Sequence, residues 1–227
     1  PNTSSAASDV YKRQGLGIQP AHAGDGASSA FTPNVFVSIT PEGTVFITCH
    51  RAEMGQGIRS TLPWIIAGEL GADYSRVVVH QAVGDKKYGS QNTDGSTSIR
   101  MQLPMLREVG AVARQMLAAA AAARWGVSAD GLVVADHTVT DPASGQSLDF
   151  KDLVFDAAAQ DVPREVKLRP KLAHLDKPMP LLDAEELVTG TAIFGADMQL
   201  PDIKVAMIAR PPVSYTHLTL PTKWWGV

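Results

Sequence analysis

The chain has 227 residues, 44% hydrophobic and 19% charged, with a net charge of −3, which places it among folded globular domains and excludes a polybasic footprint for nucleic acid or anionic membrane. Its one cysteine, Cys49, excludes an internal disulfide framework and any cysteine-only metal or iron–sulfur site built from this chain alone. No apolar run reaches the roughly 18 residues that a helical membrane span needs.

Taken from the start, residues 4–14 (SSAASDVYKRQ) resemble the in-frame translation of a sequencing-library adapter, and residues 213–222 (VSYTHLTLPT) resemble the same adapter on the opposite strand. Residues 1–14 and 213–227 are therefore read as adapter-derived, and Trp224 and Trp225 receive no functional meaning; natural polar ends are the alternative. Residues 15–30 read as a truncated export signal or linker. Ala21-His22-Ala23 has the small-residue pattern that closes a signal peptide, which points to the periplasm, whereas residues 24–30 (GDGASSA) suit a flexible lead-in compatible with the cytoplasm.

From Phe31 onward the polarity becomes periodic. The β-branched runs at residues 35–39 (VFVSI) and 45–49 (VFITC), separated by TPEGT, predict a β-hairpin. Residues 61–70 place Leu62, Ile65, Ile66 and Leu70 at helical spacing, with Ser60 or Thr61 as cap. Residues 77–79 read as a short strand, and residues 84–94 have no apolar period, so they form a long loop of the functional or mobile kind. An Ala-rich helix is predicted over residues 103–125, with Leu106, Val109, Val112 and Met116 along one side and Gly126 ending it; its small side chains imply close packing. A second hairpin follows over residues 132–140, then a helix over 149–159 with Asp149 and Asp152 in its first turn. Pro170, Pro178 and Pro180 mark residues 169–182 as a linker, beyond which TAIF (191–194) and KVAMIA (204–209) read as short strands. The organisation is thus an α+β domain over residues 31–168, a linker, and the start of another unit over 183–212.

Two turns carry candidate chemistry. In the first, His50-Arg51-Ala52-Glu53-Met54-Gly55-Gln56-Gly57, the glycines permit positive φ and close approach to a ligand, Gln56 offers an amide, and the following helix N-terminus favours a phosphate or oxyanion. The plainer reading is a tight strand-to-helix turn. The second, Asp94-Gly95-Ser96-Thr97-Ser98-Ile99-Arg100, sets three hydroxyls beside a glycine at the mouth of a helix, where they could cradle phosphate or pterin oxygens; a helix cap at Ser96 or Ser98 is the plainer reading. Glu53 either accepts backbone N–H groups of its turn or is solvated. His50 and His80 have no partner at metal-ligand spacing and are placed at the surface or core edge, so no metal site is assigned. Cys49 reads as a small buried hydrophobe, and Trp64 and Trp125 as packing residues.

The segments FTPNVFVSITPEGTV, AEMGQG, DGSTSIR and LVTGTAIFGADMQLP, in this order, resemble the molybdopterin-binding large subunit of the xanthine dehydrogenase family, in the branch formed by the β subunits of isoquinoline 1-oxidoreductases. The resemblance implies that Gly55, Gln56 and Gly57 contact the pterin of a molybdenum cofactor, in its cytosine dinucleotide form, and that Gly95, Ser96, Thr97 and Ser98 form a second cofactor loop. It makes residues 31–168 the molybdopterin-binding domain and residues 183–212 the truncated start of an α/β hammerhead domain. In the full-length protein it implies hydroxylation of an N-heterocycle such as isoquinoline, or oxidation of an aldehyde, with water as the oxygen source. A separate small subunit carrying two [2Fe–2S] clusters would take the electrons. The family's catalytic glutamate lies in a Gly-rich segment that residues 15–212 lack, so no catalytic residue is assigned and the fragment alone is expected to be inactive. A non-catalytic α+β binding or scaffold domain, with both turns purely structural, is the alternative.

Overall fold

A computed structural model of the protein describes residues 31–173, 176–179 and 181–208. The adapter readings at both ends and the export-signal reading at residues 15–30 lie outside the described residues. Two compact units are present, one reaching Ala184 and the other beginning at Glu185.

The first unit carries a four-stranded sheet in the order β1 (Phe31–Asn34), β2 (Val37–Ile39), β3 (Val45–Cys49) and β4 (Val77–Gln81). The predicted hairpin is β2 and β3, antiparallel with Val37 opposite Ile47 and Ile39 opposite Val45. Its turn closes through Thr40 N–H to Thr44 O at 3.0 Å, with Gly43 at φ 90. Residues 35 and 36 leave the strand because Asn34 Oδ1 accepts the N–H groups of Phe36 and Val37, both at 3.0 Å, a side-chain-capped turn. That turn folds β1 back onto β2; Pro33 in β1 hid it from a propensity reading. β4 runs parallel to β3, and the crossover between them is helix α1 (Ile58–Leu70).

Helix α1 starts three residues earlier than its apolar spacing predicts, at a Gly57 with φ 82. Ser60 and Thr61 therefore sit inside the helix and not at its cap; Ser60 is buried, and Thr61 Oγ1 donates to Gly57 O at 2.8 Å. The short helix α2 (Thr97–Arg100) leads into α3 (Leu103–Trp125), which ends at Gly126 with φ 68, as predicted. Helix α3 packs on α1 so closely that a Cβ on Gly110 would lie 2.6 Å from Ile66 O. Helix α4 (Phe150–Ala158) is capped by Asp149, which accepts Lys151 N–H at 3.0 Å, while Asp152 accepts Asp149 N–H at 3.2 Å.

The second predicted hairpin forms a second sheet, β5 (Val133–Ala135) and β6 (Thr138–Thr140), joined by Asp136 and His137 at φ 44 and 68, and is extended by β7 (Ser147–Asp149). His137 is buried and ties this sheet to the first: Nε2 lies 2.7 Å from Gly43 O, and Nδ1 accepts Asp73 N–H at 3.1 Å. Those partners fix a neutral ring protonated at Nε2.

The segment expected as a linker lies along α1 within the first unit. Arg169 N–H donates to Glu69 Oε1 at 2.7 Å, Ala173 N–H to Gly68 O at 3.4 Å, and Leu182 N–H to Ser60 Oγ at 3.0 Å. In the second unit, helix α5 (Ala184–Thr189) leads to a 3₁₀ turn at Gly195–Asp197. The strands expected at TAIF and KVAMIA are absent among the described residues. Val205, Met207 and Ile208 stand 94, 92 and 88% exposed, and an extended run becomes a strand only when a neighbour completes its ladder.

Candidate functional site

Beyond β3 the chain turns at His50 and reaches α1 through Glu53 to Gly57. Gly55 has φ 99 and Gly57 φ 82, a region open to glycine and costly for other residues. Glu53 organises this turn: Oε1 accepts Gly55 N–H at 2.8 Å and Gly57 N–H at 2.9 Å, and Oε2 accepts Arg59 N–H at 2.9 Å. Burial pushes its carboxyl pKa up, but the N–H groups of Arg59, Gly57, Gly55 and Gln56 outweigh burial and hold it below the ordinary value. The anion expected at the start of α1 is thus supplied by the chain itself. Gln56 folds over the same turn, its Oε1 accepting Met54 N–H at 2.6 Å and its Nε2 donating to Ala52 O at 3.1 Å.

The second loop docks on the first through Ala52 N–H to Thr93 Oγ1 at 3.1 Å. Gly95 and Ser96 are consecutive left-handed residues, φ 53 and 56, and Ser96 occupies the N-cap position of α2 without a side-chain cap bond. The cap reading therefore does not account for Ser96. Positive φ at a non-glycine is stored strain of the kind that clusters at ligand sites. Thr97 turns inward: its N–H and hydroxyl both donate to Asp94 O, at 3.0 and 2.8 Å.

Both loops face one cleft of about 430 Å³. Met54, Gln56, Ile58 and Thr61 line it from the first turn and its helix; Thr93, Asp94, Gly95, Ser96, Ser98 and Ile99 line it from the second. Of the residues singled out from sequence, Gln56, Gly95, Ser96 and Ser98 reach the cleft. Gly55 and Gly57 shape it through their backbone, and Thr97 fixes the loop from behind. Met54, Ile58, Thr61, Thr93, Asp94 and Ile99 were not anticipated. Thr61, one helical turn after Gly57, could have been found from spacing once the helix start was known; Thr93 could not, because its role depends on a contact across 41 residues.

The residues next to the turn are buried. His50, expected at the surface or core edge, is 1% exposed with neither ring nitrogen hydrogen-bonded, and packs edge-on against Phe36 at 5.2 Å. Burial, and then the charge of Arg51, lower its pKa to about 4. Arg51 is 2% exposed with Nε unpartnered; burial lowers its pKa, against the opposing effect of Asp94 on the cleft wall. Cys49 is buried, its Sγ donating to Arg51 O at 3.4 Å, and burial raises the thiol pKa. His80 is exposed, against the Phe46 ring at 4.8 Å, and Trp64 packs on Tyr74 at 4.7 Å. Among the described residues no group of three His, Cys, Asp or Glu could hold a metal ion, and no helix is long and apolar enough to cross a membrane.

The family described as "Molybdopterin cofactor-binding domain" matches residues 2–183. The chain belongs to this family. The match spans residues 2–14, read from sequence as adapter-derived, and it closes at 183, one residue from the end of the first compact unit. The molybdopterin cofactor-binding domain is similar to the beta subunit of isoquinoline 1-oxidoreductase of Brevundimonas diminuta, 33% identical over 88% of this chain and 32% of that one. It is similar also to the membrane-bound aldehyde dehydrogenase [pyrroloquinoline-quinone] of Gluconacetobacter polyoxogenes, 32% identical over 85% of this chain and 25% of that one. The second of the lettered subunits of nicotinate dehydrogenase of Pseudomonas putida is 29% identical over 78% and 15%. The chain therefore spans about a third or less of the length of these relatives. Among solved structures, quinoline 2-oxidoreductase from Pseudomonas putida 86 superposes with a TM-score of 0.45 at 23% identity, over 58% of this chain and 17% of that one. The Cu,Mo-CO dehydrogenase does so with 0.47 at 21%, over the same shares. The membership read from four motifs is borne out, as is the mixed helix-and-sheet architecture.

Proposed function

We propose that the cleft between the two turns holds the pterin of the molybdenum cofactor, with Gly55, Gln56, Gly57, Gly95, Ser96, Thr97 and Ser98 as its cradle. One observation carries this reading: two glycine turns about 40 residues apart in sequence line a single cleft within a domain of the molybdopterin-binding family. Its volume suits a small organic ligand, for which about 300–1,000 Å³ is usual. The groups around it also fit. An amide at Gln56, hydroxyls at Thr61, Thr93, Ser96 and Ser98, and a carboxylate at Asp94 offer donors and acceptors to the edges of a heterocycle. Ser96 and Ser98 carry no side-chain hydrogen bond among the described residues and are free to serve a ligand. With Glu53 holding the first N–H groups of α1, anionic parts of the cofactor are left to the hydroxyls and backbone of the second loop.

When bound, the molybdenum centre supplies a two-electron oxidation in which water provides the oxygen. In the full-length protein the reaction is hydroxylation of an N-heterocycle such as isoquinoline, or oxidation of an aldehyde, in line with the printed names of the relatives. We assign the cofactor the cytosine dinucleotide form and the electrons to a small subunit with two [2Fe–2S] clusters; two of the relatives are themselves named as single subunits of larger enzymes, which supports an assembly of several chains. The role of this chain is to bind and orient, while proton transfer falls to residues of the full-length protein outside it. Ala21-His22-Ala23 supports export to the periplasm.

The test is cofactor content. Full-length protein, matured together with its small subunit, should retain molybdenum by elemental analysis and pterin by fluorescence. Gln56→Ala and Ser98→Ala should weaken retention about tenfold, the worth of one or two hydrogen bonds. Matured wild type without molybdenum would sink the proposal.

A further inference from the structure

Residues 181–183 sit against the start of α1, behind the turn just described. Leu182 N–H donates to Ser60 Oγ at 3.0 Å, Leu181 Cδ2 lies 3.6 Å from the place of a Cβ on Gly57, and the Asp183 carboxylate pairs with the Arg59 guanidinium. Arg59 N–H in turn donates to Glu53, whose other oxygen holds Gly55 and Gly57. A polar series thus runs from Asp183 through Arg59 and Glu53 to both glycines of the turn.

We propose that Asp183 is a positioning residue for the cofactor turn, acting through Arg59 and Glu53; this rests on the reading of that turn as a pterin cradle. Two glycines within three residues make the turn entropically costly to fix, so it depends on the Glu53 carboxylate. Arg59 carries both the N–H that Glu53 accepts and a guanidinium able to compete for the same carboxylate. Asp183 engages that guanidinium and leaves Glu53 to the backbone. The pair is partly exposed, with side chains 35 and 25% accessible, so its effect is modest and local.

Amide hydrogen exchange of the 227-residue chain tests this, read at Gly55, Gly57 and Arg59, with Val112 in α3 as internal reference. Asp183→Ala and Asp183→Asn should accelerate exchange at the turn about threefold, Asp183→Glu should restore it, and Val112 should not change. Unchanged exchange at the turn in the Ala and Asn variants overturns the proposal. So does equal acceleration at Val112, which would make Asp183 merely a stability residue. The measurement needs no cofactor, so its failure leaves the pterin reading intact, and a matured protein without molybdenum leaves the exchange result intact.

Discussion

At the scale of single residues, the site is built from groups that sequence shows and contacts that it hides. Glu53 is the clearest case: its place in the sequence left it either bound to its turn or solvated, and three N–H groups at 2.8 to 2.9 Å decide for the turn. His50 goes the other way, from an expected edge position to the core. Its folded pKa of about 4 lies below the ordinary value near 6.5, so the fold favours the neutral ring. The stabilisation is complete above pH 6.5 and is lost as pH falls towards 4, because a proton then charges a ring that has no acceptor. His50→Phe should remove this component, on the order of 2–3 kcal/mol at pH 4, while leaving stability at pH 8 nearly unchanged. Denaturant midpoints of both proteins between about pH 8 and pH 4 read it directly; parallel curves would refute it.

At the scale of elements, periodicity was a good guide wherever an element's own residues decide its limits. Helix α3 matches its predicted span because an apolar stripe, a leading Pro104 and a closing Gly126 agree. Helix α1 does not, since its first turn follows from Gly57 and the Glu53 carboxylate, neither of which carries an apolar period. The TAIF and KVAMIA runs fail for a related reason: alternation makes a run competent for a strand, and only a partner makes it one. Contact between α1 and α3 supplies a further test. Gly→Ala in an exposed helix interior gains about 1 kcal/mol in propensity, but at Gly110 the new methyl would meet Ile66 O at 2.6 Å and Glu69 Cβ at 3.0 Å. Overpacking should win, and Gly110→Ala should lower stability by about 1–3 kcal/mol. A rise in melting temperature would show that the helices can part without loss.

At the scale of the whole molecule, Glu69 joins segments far apart in sequence. Fully buried, it accepts from Arg107 Nε at 2.9 Å and Arg169 N–H at 2.7 Å and pairs with Arg114 at 3.2 Å. Arg107 and Arg114 donate onward to the carbonyls of Arg169 and Lys167, and Arg169 to Val134 O, so one carboxylate fastens residues 167–169 across α1, α3 and the second sheet. Removing it leaves buried guanidinium charge uncompensated, a loss of about 3–5 kcal/mol. Glu69→Gln should therefore lower the denaturation midpoint sharply and open residues 162–173 to proteolysis before the core. Cleavage elsewhere first, or a midpoint shift worth less than about 1 kcal/mol, would argue against the clasp.

The sequence by itself determined the family, the helix and hairpin order, and the two glycine turns, because these rest on short-range patterns: apolar period, turn chemistry and φ requirements carried by single residues. Tertiary structure alone decided that the two turns share one cleft, that Glu53 rather than an external anion fills the start of α1, and that the proline-rich segment is strapped along α1. Each of these depends on pairs brought together by the fold, such as Ala52 with Thr93 or Glu69 with Arg169, and no local pattern records which distant partner a hydrogen bond will find.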